Sequence, residues 1–150
     1  KAETALSLLG EVAVASARLA YGRFREILAT PRWKALAGRG ARAQRPLWAS
    51  TGTKNPEYSD VKYVEELIGS DTVNTMPPQT MDAFRDHGTV AGALDGAVPA
   101  AKAVLDDLGL LDIGIEEVCE RLEAEGVQSF LESHRKLLAA IQTRLSGSAA

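Results

Sequence analysis

Only two stretches of this 150-residue chain read as β-strands, the compact run Pro46-Leu47-Trp48-Ala49-Ser50 and the run Thr72-Val73-Asn74-Thr75-Met76, which Pro77-Pro78 stops. Between them Val61, Val64, Leu67 and Ile68 recur at helical spacing behind a capping Asp60, and Gly69 closes that helix. Strand, helix and strand within about 30 residues is the size of a βαβ unit, which makes the two strands parallel and their crossover right-handed. Two strands alone cannot form a stable sheet without covering or further partners. The sheet encoded here is therefore incomplete.

The rest of the chain has helical periodicity. From residue 2 to 28 the apolar Leu6, Leu9, Ala13, Ala17, Ala20, Phe24, Ile27 and Leu28 recur every three or four positions, opposite Glu3, Glu11, Arg18 and Arg25. That predicts one long amphipathic helix. It starts at Lys1 with no capping residue or leading loop, as expected of a chain cut from something longer. Thr30-Pro31 supplies a capping hydroxyl and a proline at the first helical position for a helix to residue 37, ended by Gly38 and Gly40. Further helices are predicted over 80–86, 98–108, 115–125 and 127–145, with Gly126 separating the last two, and the small polar tail 146–150 is expected to fray.

Composition excludes several classes of function. The net charge is −3 and the 17 basic residues are scattered, so no electrostatic footprint for nucleic acid or an anionic membrane exists. No apolar run approaches the ~18 residues that span a bilayer. The single cysteine, Cys119, has no disulfide partner and no companion ligand at metal spacing. A soluble cytoplasmic protein without a metal is expected. Cys119 recurs with Ile115, Val118 and Leu122 on one face and is expected in a core.

The segment after the first strand carries the most chemistry. Ser50, Thr51, Gly52, Thr53 and Lys54 place three hydroxyls, a glycine and a cation beyond the C-terminal end of a buried strand, where α/β folds bind ligands. A phosphate needs several N–H or O–H donors and a positive charge, and glycine admits close backbone approach. The spacing is not that of a Walker loop. An ordinary solvated loop, whose Ser and Thr bond their own backbone, competes with this reading, and composition alone favours that loop. Asn74 and Thr75 end the second strand near the same face. They either line a polar pocket or satisfy local backbone, and Gln79 or Thr80 assists the next helix start. His87 at a helix end and His134 beside Arg135 and Lys136 lack the orienting partner that a catalytic histidine needs. The acidic run 116–125 reads as a solvated face.

Three segments together resemble bacterial transaldolases: Trp33-Lys34-Ala35-Leu36-Ala37, Arg45-Pro46-Leu47-Trp48-Ala49-Ser50-Thr51-Gly52-Thr53-Lys54-Asn55-Pro56, and Thr72-Val73-Asn74-Thr75-Met76-Pro77. The resemblance runs from the first helix to Glu125-Gly126-Val127 and the closing helix, and it is to the family's final portion. It implies that residues 1–150 are the C-terminal part of one α/β TIM (β/α)₈ barrel domain, strands seven and eight with flanking helices. A whole barrel needs about 250 residues. It further implies transfer of a dihydroxyacetone unit through a lysine Schiff base, in the non-oxidative pentose phosphate pathway and with no cofactor. The sugar phosphates implied are fructose 6-phosphate, sedoheptulose 7-phosphate, erythrose 4-phosphate and glyceraldehyde 3-phosphate.

The family's phosphate-holding serine and basic residue would be Ser50 and Lys54, with Thr51, Gly52, Thr53, Asn74 and Thr75 as pocket lining. Many relatives carry the basic residue two positions after the serine, whereas three residues separate Ser50 from Lys54 here. None of the six lysines falls in a predicted strand, so no catalytic residue is assigned within the chain. Its expected partners are a missing N-terminal half or a second copy. Two rivals remain at this stage, another phosphate-binding barrel aldolase and a non-enzymatic helical interaction domain. The second predicts no strand pairing at Trp48 and Asn74.

Overall fold

The computed structural model describes residues 1–147, and the chain divides into two compact units, Lys1–Leu111 and Asp112–Ala150. In the first unit the order is α1 (Ala2–Ser7), α2 (Val12–Ala29), α3 (Pro31–Ala37), β1 (Leu47–Trp48), α4 (Lys62–Glu65), β2 (Val73–Asn74), α5 (Pro78–His87) and α6 (Val98–Leu110). The second unit holds α7 (Ile115–Gly147).

The strands pair in parallel, Leu47 opposite Val73 and Trp48 opposite Asn74. The Val73 N–H donates to the Pro46 carbonyl and the Thr75 N–H to the Trp48 carbonyl, each at 2.9 Å. This is the pairing that the interaction-domain rival forbids. One side of β1 meets the helices, with Trp48 packed on the core formed by Val14, Tyr21, Leu67 and Leu94. Leu47, next along the strand, stays 53% exposed.

The expected single helix over 2–28 is two helices. Gly10 lies between them at φ +80°, a left-handed conformation that costs glycine little, and a Cβ there would meet the Tyr58 ring at 3.1 Å. The break shifts the helical phase. Leu8, Val14, Ala15 and Tyr21 are buried, whereas the expected Leu6, Leu9 and Ile27 are exposed. Tyr21 enters the core because its hydroxyl donates to the Ser70 carbonyl at 3.1 Å. Burial, then the nearby Asp95 carboxylate, raise its phenol above the usual value. Helix α2 also packs against α6, where Gly22 lets the helices approach: a Cβ there would lie 2.5 Å from Val98 Cγ2.

Helix α3 starts as its sequence predicts, with the Trp33 N–H donating to Thr30 Oγ1 at 3.2 Å and Pro31 at the first position. Helix α4 is shorter than expected. Asp60 does not cap it, and its last turn tightens as the Leu67 N–H donates to the Val64 carbonyl. The anticipated face nonetheless packs, since Val61, Val64 and Leu67 are buried. A polar network ties α4 to the start of α2: Lys62 Nζ donates to Glu11 Oε1 at 2.8 Å and to Glu66, and Arg18 pairs with Glu66 Oε2 at 3.5 Å.

Gly126 does not end a helix, because α7 runs unbroken for 33 residues. A glycine inside a helix costs only about 1 kcal/mol relative to alanine, too little to stop one this long. None of the described residues of α7 is buried. Cys119, expected in a core, is exposed, as are Val118 and Leu122, and among the described residues of the second unit no other helix or strand covers that face. Residues 146 and 147 are helical, and the rest of the expected frayed tail, 148–150, lies outside the described residues.

Candidate functional site

The C-terminal ends of β1 and β2 lie side by side, so the loop after β1 and the turn from β2 into α5 meet at one end of the pair. Thr51 locks them together. Its side chain is buried, and Oγ1 lies 2.7 Å from Asn74 Oδ1 and 3.3 Å from the Thr75 carbonyl. Thr51 and Asn74 thus satisfy each other and the adjoining backbone.

Ser50 adopts φ +59°, an uncommon conformation for a residue with a side chain. The turn divides the expected site. Ser50 and Thr51 line a largely apolar cleft of about 270 Å³ with Ala17, Trp48, Tyr63 and Leu67. Gly52, Thr53 and Lys54 line another, of about 230 Å³, with Asp60, Pro77, Gln79, Thr80 and Ala83. Ser50 and Lys54 therefore open onto different cavities.

The second cleft has features of an anion site. Among the described residues Lys54 is exposed and makes no ion pair or hydrogen bond. Thr53 Oγ1 is buried without a hydrogen-bond partner. An unsatisfied buried hydroxyl costs about 1–3 kcal/mol, which a bound acceptor would relieve. The sequence reading missed Asp60, Gln79 and Thr80 as cleft residues. The proline pair was the available signal, since Pro78 at a first helical position directly after a strand marks a helix N-terminus at the binding end.

His87 does have partners. Its Nε2 lies 2.9 Å from Asp60 Oδ1 and its Nδ1 3.2 Å from Asp86 Oδ2, so the ring clasps the end of α5 to the loop before α4. The hydrogen bond to Asp60, then that to Asp86, raise the imidazole's pKa above the ordinary value of 6.5. A group whose pKa rises on folding contributes stability that is full below its unfolded pKa and lost as pH rises through the folded one. The His87 ring protons should therefore titrate above pH 6.5 by NMR. Thermal stability of the unchanged chain should fall as pH rises through that midpoint, and His87→Asn should remove that component. A midpoint at or below 6.5 would exclude the clasp. His134 makes no such contact among the described residues.

None of the six lysines lies in a strand. Lys1, Lys34, Lys54, Lys102 and Lys136 are exposed. Lys62 is partly buried, which alone would lower its pKa, but the Glu11 and Glu66 carboxylates outweigh burial and hold it above the usual lysine value. Among the described residues no group of three or more His, Cys, Asp or Glu could hold a metal ion, and no helix is long and apolar enough to cross a membrane.

Parallel strands joined through a helix, covered by helices on one side and carrying clefts at their C-terminal ends, form part of a (β/α)₈ barrel. The family model described as transaldolase/fructose-6-phosphate aldolase matches residues 1–141, and the chain belongs to that family. It is 48% identical over 145 residues to a protein named transaldolase from Thermobifida fusca, covering 96% of this chain and 39% of that protein. A transaldolase from Acidothermus cellulolyticus is 49% identical over 142 residues (94% and 38%), and one from Mycobacterium bovis 48% over 147 (97% and 39%). The chain thus spans about two fifths of the length of these relatives.

Proposed function

We propose that these residues form the C-terminal portion of a cytoplasmic transaldolase, strands seven and eight with their helices. The enzyme would transfer a dihydroxyacetone unit between sugar phosphates by a lysine Schiff base carried elsewhere in the barrel. On this reading β1 and β2 are the seventh and eighth strands, and the loop after β1 holds the substrate phosphate through Lys54, while Ser50 opens onto the neighbouring cleft. The observation that carries it is the cleft at the strands' C-terminal ends, where Lys54 is free of ion pairs beside the orphaned Thr53 hydroxyl. The relatives' shared name, transaldolase, supports the transferase over another barrel aldolase.

In the complete enzyme, Lys54→Ala should remove one charge-assisted contact of about 1.5–3 kcal/mol, a roughly ten- to hundredfold loss in kcat/KM. Ser50→Ala, at a residue that opens onto the other cleft, should cost less than Lys54→Ala. The Lys54→Ala loss should shrink sharply with a substrate that carries no phosphate. Equal impairment of phosphorylated and unphosphorylated substrates by Lys54→Ala would assign Lys54 to the fold instead.

A further inference from the structure

We infer that the apolar face of α7 pairs antiparallel with the α7 of a second copy of this chain, in a register centred on Phe130. A helix with an apolar stripe along one side is stabilised mainly by burying that stripe. From Val118 to Leu145 apolar residues of α7 recur mostly every three or four positions, and the large ones are exposed, Phe130 most of all at 81%. At 1.5 Å per residue the stripe runs along a helix about 50 Å long. A contiguous apolar surface of that length marks an interaction site.

The charges of α7 choose the partner. Residues 115–132 carry six carboxylates and one arginine, whereas residues 133–147 carry Arg135, Lys136 and Arg144 and no carboxylate. The helix is therefore complementary to itself when reversed. Antiparallel pairing sets an acidic half against a basic half at both ends, and parallel pairing would set like charge against like. The apolar positions fit the same arrangement. With Phe130 on the twofold axis, Ile115 falls level with Leu145, Cys119 with Ile141 and Leu122 with Leu138. Gly126 falls level with His134, where its missing side chain makes room for the ring, and Glu123 comes beside Arg135 of the second copy. This pairing involves no part of the phosphate-holding loop.

Sedimentation of the full 150-residue chain over a range of concentrations tests this. A dimer is expected, and Phe130→Glu, which sets two carboxylates against each other at its centre, should raise the dimer Kd at least about tenfold. Glu123→Lys should weaken the dimer several-fold, and adding Arg135→Glu to it should restore it. Oxidation with diamide reads the orientation separately. Antiparallel pairing holds the two Cys119 residues about 33 Å apart, whereas a disulfide bridges no more than about 7 Å. The unchanged chain should therefore give no rapid cross-link, and Ile141→Cys beside the native Cys119 should give one. A monomer at every concentration, a dimer indifferent to Phe130→Glu, or rapid Cys119 cross-linking in the unchanged chain overturns the inference. So does a dimer that dissociates when the polypeptide completing the barrel is added, which would assign this face to that polypeptide. The cross-linking pattern decides the orientation even where a charge variant misfolds.

Discussion

A chain of these 150 residues, given fructose 6-phosphate and erythrose 4-phosphate, is expected to produce no sedoheptulose 7-phosphate above the buffer rate. Schiff-base chemistry near neutral pH needs an unprotonated amine, which proteins obtain by desolvating a lysine or setting a cation beside it. Five of the six lysines are exposed. The sixth, Lys62, is clasped by Glu11 and Glu66, which favour its charged form. Adding a separately produced polypeptide that completes the barrel should restore turnover, and Lys54→Ala in this chain should then lower the restored rate. Turnover by the chain alone would show that a reactive lysine has been overlooked.

Leu94→Ala should destabilise the first unit by about 2–5 kcal/mol, the usual range for a buried leucine. Leu94 is 1% exposed and packs with Val14, Tyr21 and Leu67 at the centre of the core. Its segment is held in place by the Ala93 and Leu94 N–H groups, both donating to the Ile68 carbonyl, so the surroundings cannot easily collapse into the cavity. Trp33 and Trp48 both belong to this unit, so tryptophan fluorescence in a urea titration reports on it alone. The midpoint should fall with little change in slope. Leu47→Ala, at a 53% exposed position, should change stability by less than about 0.5 kcal/mol. Equal effects from the two substitutions would mean that the core is wrongly placed.

The strand pair was legible in the sequence because Leu47-Trp48 and Val73-Asn74 sit in short apolar runs bounded by turn residues, with a helix-sized interval between them. The buried face of the first helical stretch was legible only in part: Ala17 and Phe24 pack on the core as expected, whereas Val14 and Tyr21 were missed. A periodicity count assumes an unbroken helix, and Gly10 in its left-handed conformation resets the phase, moving burial from Leu6 and Leu9 to Leu8 and Val14. The opposite error occurred at Gly126, a stop signal that a continuous run of backbone hydrogen bonds overrides. The residue types of the 50–54 loop did indicate a polar binding loop. Which cavity each residue lines depends on the Ser50 turn and on the contact between Thr51 and Asn74, 23 positions apart, and neither is written in local pattern. The His87–Asp60 pair, 27 positions apart, was hidden for the same reason.

The central claim is that this portion of the barrel holds phosphate without supplying the reactive amine. Borohydride reduction in the presence of fructose 6-phosphate, followed by peptide mass spectrometry across Lys1, Lys34, Lys54, Lys62, Lys102 and Lys136, tests it most directly. The expected result is no specific adduct at any of the six. A stoichiometric adduct on one of them would place the reactive centre inside this chain and contradict the account.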